Sequence, residues 1–252
     1  MRSFRVIPRL DIKMNHLIKG VQMEGWRKVG SPIEFAKKYS DEGADELLLV
    51  DVVASLYDRN SLHEIIKKIA SEIFIPLTIG GGVRNIEDVK NILDCGADKI
   101  TLNTAATHNP NLVKEISKVF GSQACVVAIE TIFRDGKWWV MTDNGRNNTS
   151  REAIEWAKQV ADLGAGEVVL TAIHKEGLGL GLDLDLITEV SKSLSIPVVA
   201  GGGIGTISHI KDLFTNSDAN AVTLAQALHW DKLKLKEIRE LLLSNDYYVR
   251  PI

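Results

Sequence analysis

One stretch of the chain occurs twice. IPLTIGGGVR runs from Ile75 to Arg84, and IPVVAGGGIG runs from Ile196 to Gly205, 121 residues further on. Each is a short apolar run that stops at three consecutive glycines. A strand ending in Gly-Gly-Gly presents bare backbone N–H groups at its carboxyl end. With no side chains in the way, those donors can close around a phosphate. A single copy reads equally well as a tight strand-to-helix turn. Two copies at a fixed spacing, each ahead of a helical pattern, favour a ligand with two phosphates, held at Gly81-Gly82 and Gly202-Gly203.

The repeat extends beyond the glycines. FAKKYSDEGADELLLVD from Phe35 lines up with WAKQVADLGAGEVVLTA from Trp156, and ADKITLNTA from Ala97 echoes ANAVTLAQA from Ala219. Short β-branched or leucine-rich runs alternate with amphipathic stretches throughout. Strands are expected near 4–11, 46–51, 75–80, 98–103, 124–130, 167–173, 196–201 and 220–225. Helices are expected near 32–43, 60–72, 86–95, 110–120, 150–164, 184–193, 206–215 and 232–243. Eight strand–helix units without a linker predict an α/β chain, a (β/α)8 TIM barrel built from two half-barrel repeats, with 1–252 as a single domain. An open doubly wound sheet is the alternative.

Composition narrows the setting. The net charge of −3 is mildly acidic and implies no nucleic-acid surface. Cys95 and Cys125 have no metal or disulfide spacing, so a reducing cytoplasm is expected. No apolar run approaches the ~18–20 residues of a membrane span. MRSFRVIPRLD at the start reads as a strand and not as a signal peptide. Neither a metal nor another cofactor is called for. Two insertions interrupt the rhythm: residues 14–30, with Lys19 and Trp26, expected to form a lid, and residues 132–142, where Asp135-Gly136 turns a small hairpin.

Reactive groups in such a barrel sit at the carboxyl ends of strands. Asp11 closes strand 1 and Glu130 closes strand 5, half a barrel apart. Two carboxylates facing across a pocket suit general acid and base work when their environments separate them, although each could merely cap a loop. Asp51, ending strand 2, is a third candidate. Asn103 and Thr104 would join the first glycine loop, and Gly177, Ala225 and Gln226 the second. His174 reads as a loop-surface residue. At the other end, strand alternation puts Arg5 on the same face as Asp11, with Glu46, Lys99 and Glu167 at matching places. Four alternating charges there form either a structural ring or a gate across an axial passage.

These residues resemble the cyclase subunit of imidazole glycerol phosphate synthase, the HisF type, over essentially the full length. The matches are P-x-L-D-x-K ending in Asp11, Lys19-Gly20, GADEL with Asp51, GGG-[VI]-R, ADK-x-x-x-NTA, FGSQ, LGAGE and the second GGG. A sister family, the phosphoribosyl isomerase of the same pathway, shares the half-barrels but is less similar in loop 1 and in the charged ring. The resemblance implies a heterodimer with a HisH-type glutaminase docked on the barrel floor near Asp98. Ammonia would pass the gate at Arg5, Glu46, Lys99 and Glu167. At the mouth it would convert a bis-phosphate substrate into imidazole glycerol phosphate, with Asp11 and Glu130 as the catalytic pair and Lys19 on the lid.

The chain departs from the family at Arg9, usually a small cysteine, at Glu130, usually an aspartate, at His174-Lys175-Glu176-Gly177, usually Asp-Arg-Asp-Gly, and at Gln226, usually a serine. Arg9 shares the inward face with Asp11 and faces the small Ala128. It is expected to cross the interior and pair with Glu130, lowering the pKa of that carboxyl. Such changes also resemble HisF-like paralogues that channel ammonia for amidation of surface sugars. That is the alternative to the cyclase reading.

Overall fold

The computed structural model describes residues 2–53 and 62–251; the start of the helix expected over 60–72 lies outside them. Among the described residues, eight parallel strands form the barrel: β1 (Arg5–Lys13), β2 (Leu47–Asp51), β3 (Leu77–Gly80), β4 (Lys99–Leu102), β5 (Cys125–Arg134), β6 (Glu167–Ala172), β7 (Val198–Gly201) and β8 (Ala221–Leu224). Each pairs with the next, and β8 returns to β1, which closes the sheet. The open-sheet alternative is thereby excluded. Among the described residues, eight longer helices lie outside: α1 (Pro32–Asp41), α2 (His63–Glu72), α3 (Ile86–Asp94), α4 (Asn111–Phe120), α5 (Ala153–Asp162), α6 (Leu184–Ser193), α7 (Ile207–Asn216) and α8 (Leu235–Leu243); two short ones, Thr104–His108 and Gln226–His229, follow β4 and β8. None is long and apolar enough to cross a membrane.

Local chemistry explains several boundaries. Ser31 caps α1 and Pro32 starts it, where a missing N–H costs nothing. Asn85 and Asp183 accept from the backbone N–H groups of Asp88 and Leu186 to cap α3 and α6. In β1, residues 5–8 pair with β8 and residues 9–12 pair with β2. Pro8, which has no N–H to donate, sits where the pairing changes sides.

The mouth segments differ from the sequence reading. Strands β1 and β5 do not end at Asp11 and Glu130 but continue to Lys13 and Arg134 as antiparallel hairpins. Asp11 pairs with Val50 on one side and Ile18 on the other, and Glu130 with Thr171 and Met141. The lid stretch is itself a hairpin, His16–Val21 with Glu24–Gly30. The second insertion gains a third strand, Asn147–Glu152, so α5 begins at Ala153 and not near 150.

The outward strand residues and the helices bury one large core, with Trp156 and Tyr39 fully enclosed. Inside the barrel a separate apolar layer is formed by Ile7, Leu48, Val126, Val169, Val199 and Ala221. It lies between the charged floor and the polar mouth.

Candidate active site

Strand alternation turns Arg5, Ile7, Arg9 and Asp11 inward, so β1 alone supplies a floor charge, an apolar layer and two mouth groups. The guanidinium of Arg9 donates from Nε to Asp11 Oδ1 at 2.7 Å, while its Nη2 stands 3.8 Å from Glu130 Oε1. The expected pairing with Glu130 is present as a long ion pair and is corrected only in that the hydrogen bond goes to Asp11. Arg9 reaches towards Glu130 without a hydrogen bond and binds the nearer carboxylate on its own strand. All three side chains are buried.

The expected pKa of Glu130 is corrected too. Burial pushes its carboxyl up to about 7, against the opposing charge of Arg9, and the nearby Asp11 charge adds to the rise. Asn103 donates its amide to Glu130 Oε2 at 3.0 Å, which opposes the rise only in part. Burial also acts to raise Asp11. There the charges of Arg9 and Lys19 and the Arg9 hydrogen bond outweigh it and hold the carboxyl below its ordinary value. The two acids therefore differ, with the proton favouring Glu130.

The acids do not share one open cavity. Glu130 borders a cavity of about 270 Å³ beside the first glycine loop, together with Asp51, Gly81, Gly82, Asn103 and Thr104. Asp11 borders a small cleft of about 10 Å³ under the lid hairpin, with Lys19 and Trp26. A third space of about 20 Å³ lies at the second glycine loop, against Gly177, Gly202, Gly203, Ala225 and Gln226. Arg9 borders all three spaces.

The glycine loops require glycine. Gly81 has φ +100°, and a Cβ there would collide with the carbonyl of Asp51. Gly203 has φ +103°, and a Cβ there would strike the carbonyl of Gly181. The Thr104 hydroxyl is close to Asp143, accepting its backbone N–H at 3.2 Å.

The lid hairpin lies closed on the loop after β6. Lys19 donates to Glu176 and stands 3.9 Å from Asp11, and Gln22 N–H donates to the Glu176 carbonyl at 2.9 Å. His174 is half-buried and not a surface residue: its Nε2 lies 3.2 Å from Asp183, which also accepts from the Trp138 indole at 2.8 Å. Glu176 and Trp138 were missed as site-forming residues because their partners are distant in sequence. The departure at Glu176 was the available signal for that position.

At the floor the four expected charges meet. Arg5 donates to Glu46 at 2.9 Å and to Glu167, and Lys99 donates to Glu46 at 2.8 Å and to Glu167 at 3.2 Å. Thr78 donates to Glu46 at 2.6 Å. Asp98 is exposed beside this ring, one oxygen accepting the Leu77 N–H at 2.8 Å.

This geometry has counterparts among known proteins. The family described as Histidine biosynthesis protein matches residues 5–234. "Imidazole glycerol phosphate synthase subunit HisF" of Legionella pneumophila is 51% identical over 210 residues, covering 82% of this chain and 98% of that protein. The proteins of the same name from Clostridium botulinum (strain Okra / Type B1) and Prochlorococcus marinus (strain MIT 9211) are 43% and 42% identical. They cover 99% and 100% of this chain and 100% and 99% of their own lengths. A barrel with paired glycine loops, matched from end to end by such relatives, belongs to the histidine biosynthesis protein family and, within it, to the HisF type.

Proposed function

We propose that the chain is the cyclase subunit of an imidazole glycerol phosphate synthase, acting as one barrel domain in the cytoplasm on ammonia from a HisH-type glutaminase. The end-to-end match to HisF subunits carries this reading. In it, the bis-phosphate substrate lies across the mouth. Gly81, Gly82, Asn103 and Thr104 hold one phosphate, and Gly177, Gly202, Gly203, Ala225 and Gln226 hold the other. Asp11 and Glu130 serve the reaction between them, with Asp51 and the lid residue Lys19 completing the pocket. The second cradle has little space beside Gln226, so that side chain moves when substrate binds.

The glutaminase docks at the floor near Asp98. Arg5, Glu46, Lys99 and Glu167 act as the ammonia gate, and at least one ion pair opens to let ammonia through. Above them the apolar layer admits neutral ammonia and resists ammonium, because an unpaired charge is costly there.

The test is turnover of the bis-phosphate substrate with an ammonium salt, followed by imidazole glycerol phosphate formation. Turnover that Asp11→Asn abolishes supports the cyclase. Absent turnover, with ammonia still delivered by a co-purified glutaminase, favours the ammonia-channelling alternative.

A further inference from the structure

The rim acids are chemically alike and would, by themselves, compete for the same proton. Their surroundings differ chiefly because of one side chain. Arg9 occupies a place on β1 whose counterpart on β5 is the small, uncharged Ala128. Its Nε is bonded to Asp11 at 2.7 Å, and its Nη2 is 3.8 Å from Glu130. The same guanidinium stands between the Glu130 cavity and the Asp11 cleft. Lys19 approaches Asp11 from the lid at 3.9 Å, whereas Glu130 receives the neutral amide of Asn103 at 3.0 Å. Asp11 thus has two cations and Glu130 has one distant one.

We infer that Arg9 is a positioning residue that makes the rim pair unequal: it pins Asp11 as a permanent anion and leaves Glu130 as the group that gives and takes the proton. When ammonia adds to an electrophilic carbon, the nitrogen must shed a proton and the departing atom must receive one. Glu130 in its acid form gives its proton to the departing atom, becomes a carboxylate, and recovers a proton from the nitrogen. Asp11 stays ionised and steadies the positive charge on nitrogen while that exchange proceeds.

The other charges at the rim are compatible with this division. Asp11 faces Arg9, Lys19 and His229, and burial brings the His229 imidazole down to about 4, so it is neutral near pH 7. Glu130 faces Arg9, Asp11 and Glu176, with Asp51, Arg84, His108 and Asp143 on the wall of the same cavity.

The kinetic arm of the test rests on the cyclase reading, and a spectroscopic arm does not. Carboxyl ¹³C shifts are followed against pH in the full-length protein, with Asp11 and Glu130 assigned by their loss in Asp11→Asn and Glu130→Gln. Expected are a Glu130 midpoint near 7 and no Asp11 midpoint above about pH 4. In Arg9→Gln the Asp11 midpoint should rise by about one unit or more, and Arg9→Lys should restore it. The kcat profile of the unsubstituted enzyme should show one ionisation near neutrality, with a second entering the range in Arg9→Gln. Circular dichroism checks folding; if Arg9→Gln fails to fold, the titration of the unsubstituted protein and Arg9→Lys decide. Asp11 titrating above about pH 4 in the unsubstituted protein, or unmoved midpoints in a folded Arg9→Gln, overturn the inference. Split titrations in a protein without turnover retain the Arg9-imposed inequality of the pair, and remove the cyclase reading together with Glu130's part in it.

Discussion

Lys19 of the lid hairpin donates to Glu176 of the loop after β6 while standing 3.9 Å from Asp11. The closed lid is therefore tied to a loop at one end of the second glycine cradle. Glu176→Gln weakens that tie and leaves the backbone bond from Gln22. A charged hydrogen bond of this kind contributes about 2 kcal/mol, or roughly thirtyfold in an opening equilibrium. Hydrogen exchange across residues 16–30 should accelerate accordingly, with exchange in the outer helices unchanged.

Asp11→Asn should lower ammonium-dependent turnover by about 10²–10⁴-fold, the range expected for a proton-transfer or charge-stabilising group. It should also destabilise the protein, because Arg9 loses the carboxylate that accepts from its Nε. A loss of about 2–4 kcal/mol in chemical denaturation is expected.

The raised Glu130 carboxyl gives stability a pH dependence of definite sign. Between its ordinary value of 4.5 and about 7, the folded protein retains a proton that the unfolded chain has released. This group's contribution therefore falls as pH rises through that window and levels off above it. Asp11 acts oppositely: its stabilisation is present above the ordinary value of 3.8 and is lost as pH drops through its depressed value. Glu130→Gln should flatten the window, removing a change on the order of 3 kcal/mol. Denaturation curves at pH 5, 6, 7 and 8 measure it.

Glu46→Ala removes the acceptor shared by Arg5, Lys99 and Thr78 at the floor. Arg5 and Lys99 are half-buried and keep Glu167, while the buried Thr78 hydroxyl loses its acceptor, so a cost of about 1–3 kcal/mol is expected. Under the proposed gate, glutamine-driven turnover should fall more than turnover on added ammonium. Equal losses by both routes would count against the gate.

Gly81→Ala should damage the first cradle without a change of charge. The left-handed φ and the nearby Asp51 carbonyl together make alanine cost about 1–3 kcal/mol or more. Substrate KM should rise, and the loss should exceed that of an alanine placed at Gly136, where a Cβ would meet open space.

The barrel was legible because its signals are local. The repeated glycine loops and the period of β1 each depend on a few neighbouring residues. The floor ring followed from strand alternation, since Arg5, Glu46, Lys99 and Glu167 occupy matching ends. The mouth was harder to read. Whether Arg9 meets Asp11 or Glu130 depends on side-chain torsions that no periodicity encodes. The sign of the Glu130 shift was misread because one opposite charge was weighed without the larger effect of burial. The hairpin at Asp135-Gly136 was legible from its turn residues, whereas the extension of β1 escaped notice because His16–Val21 pairs after a short turn, outside the strand–helix rhythm.

The six aliphatic side chains inside the barrel act as a spacer between two charged levels. Arg5 and Arg9 are four residues apart on β1, about 13 Å along the strand. The two acids and two bases below cancel, so their combined field dies away before it reaches the rim. Substitutions at the floor that keep those four charges balanced therefore leave the acidity of the rim groups unchanged, whereas removing one charge unbalances the field they feel.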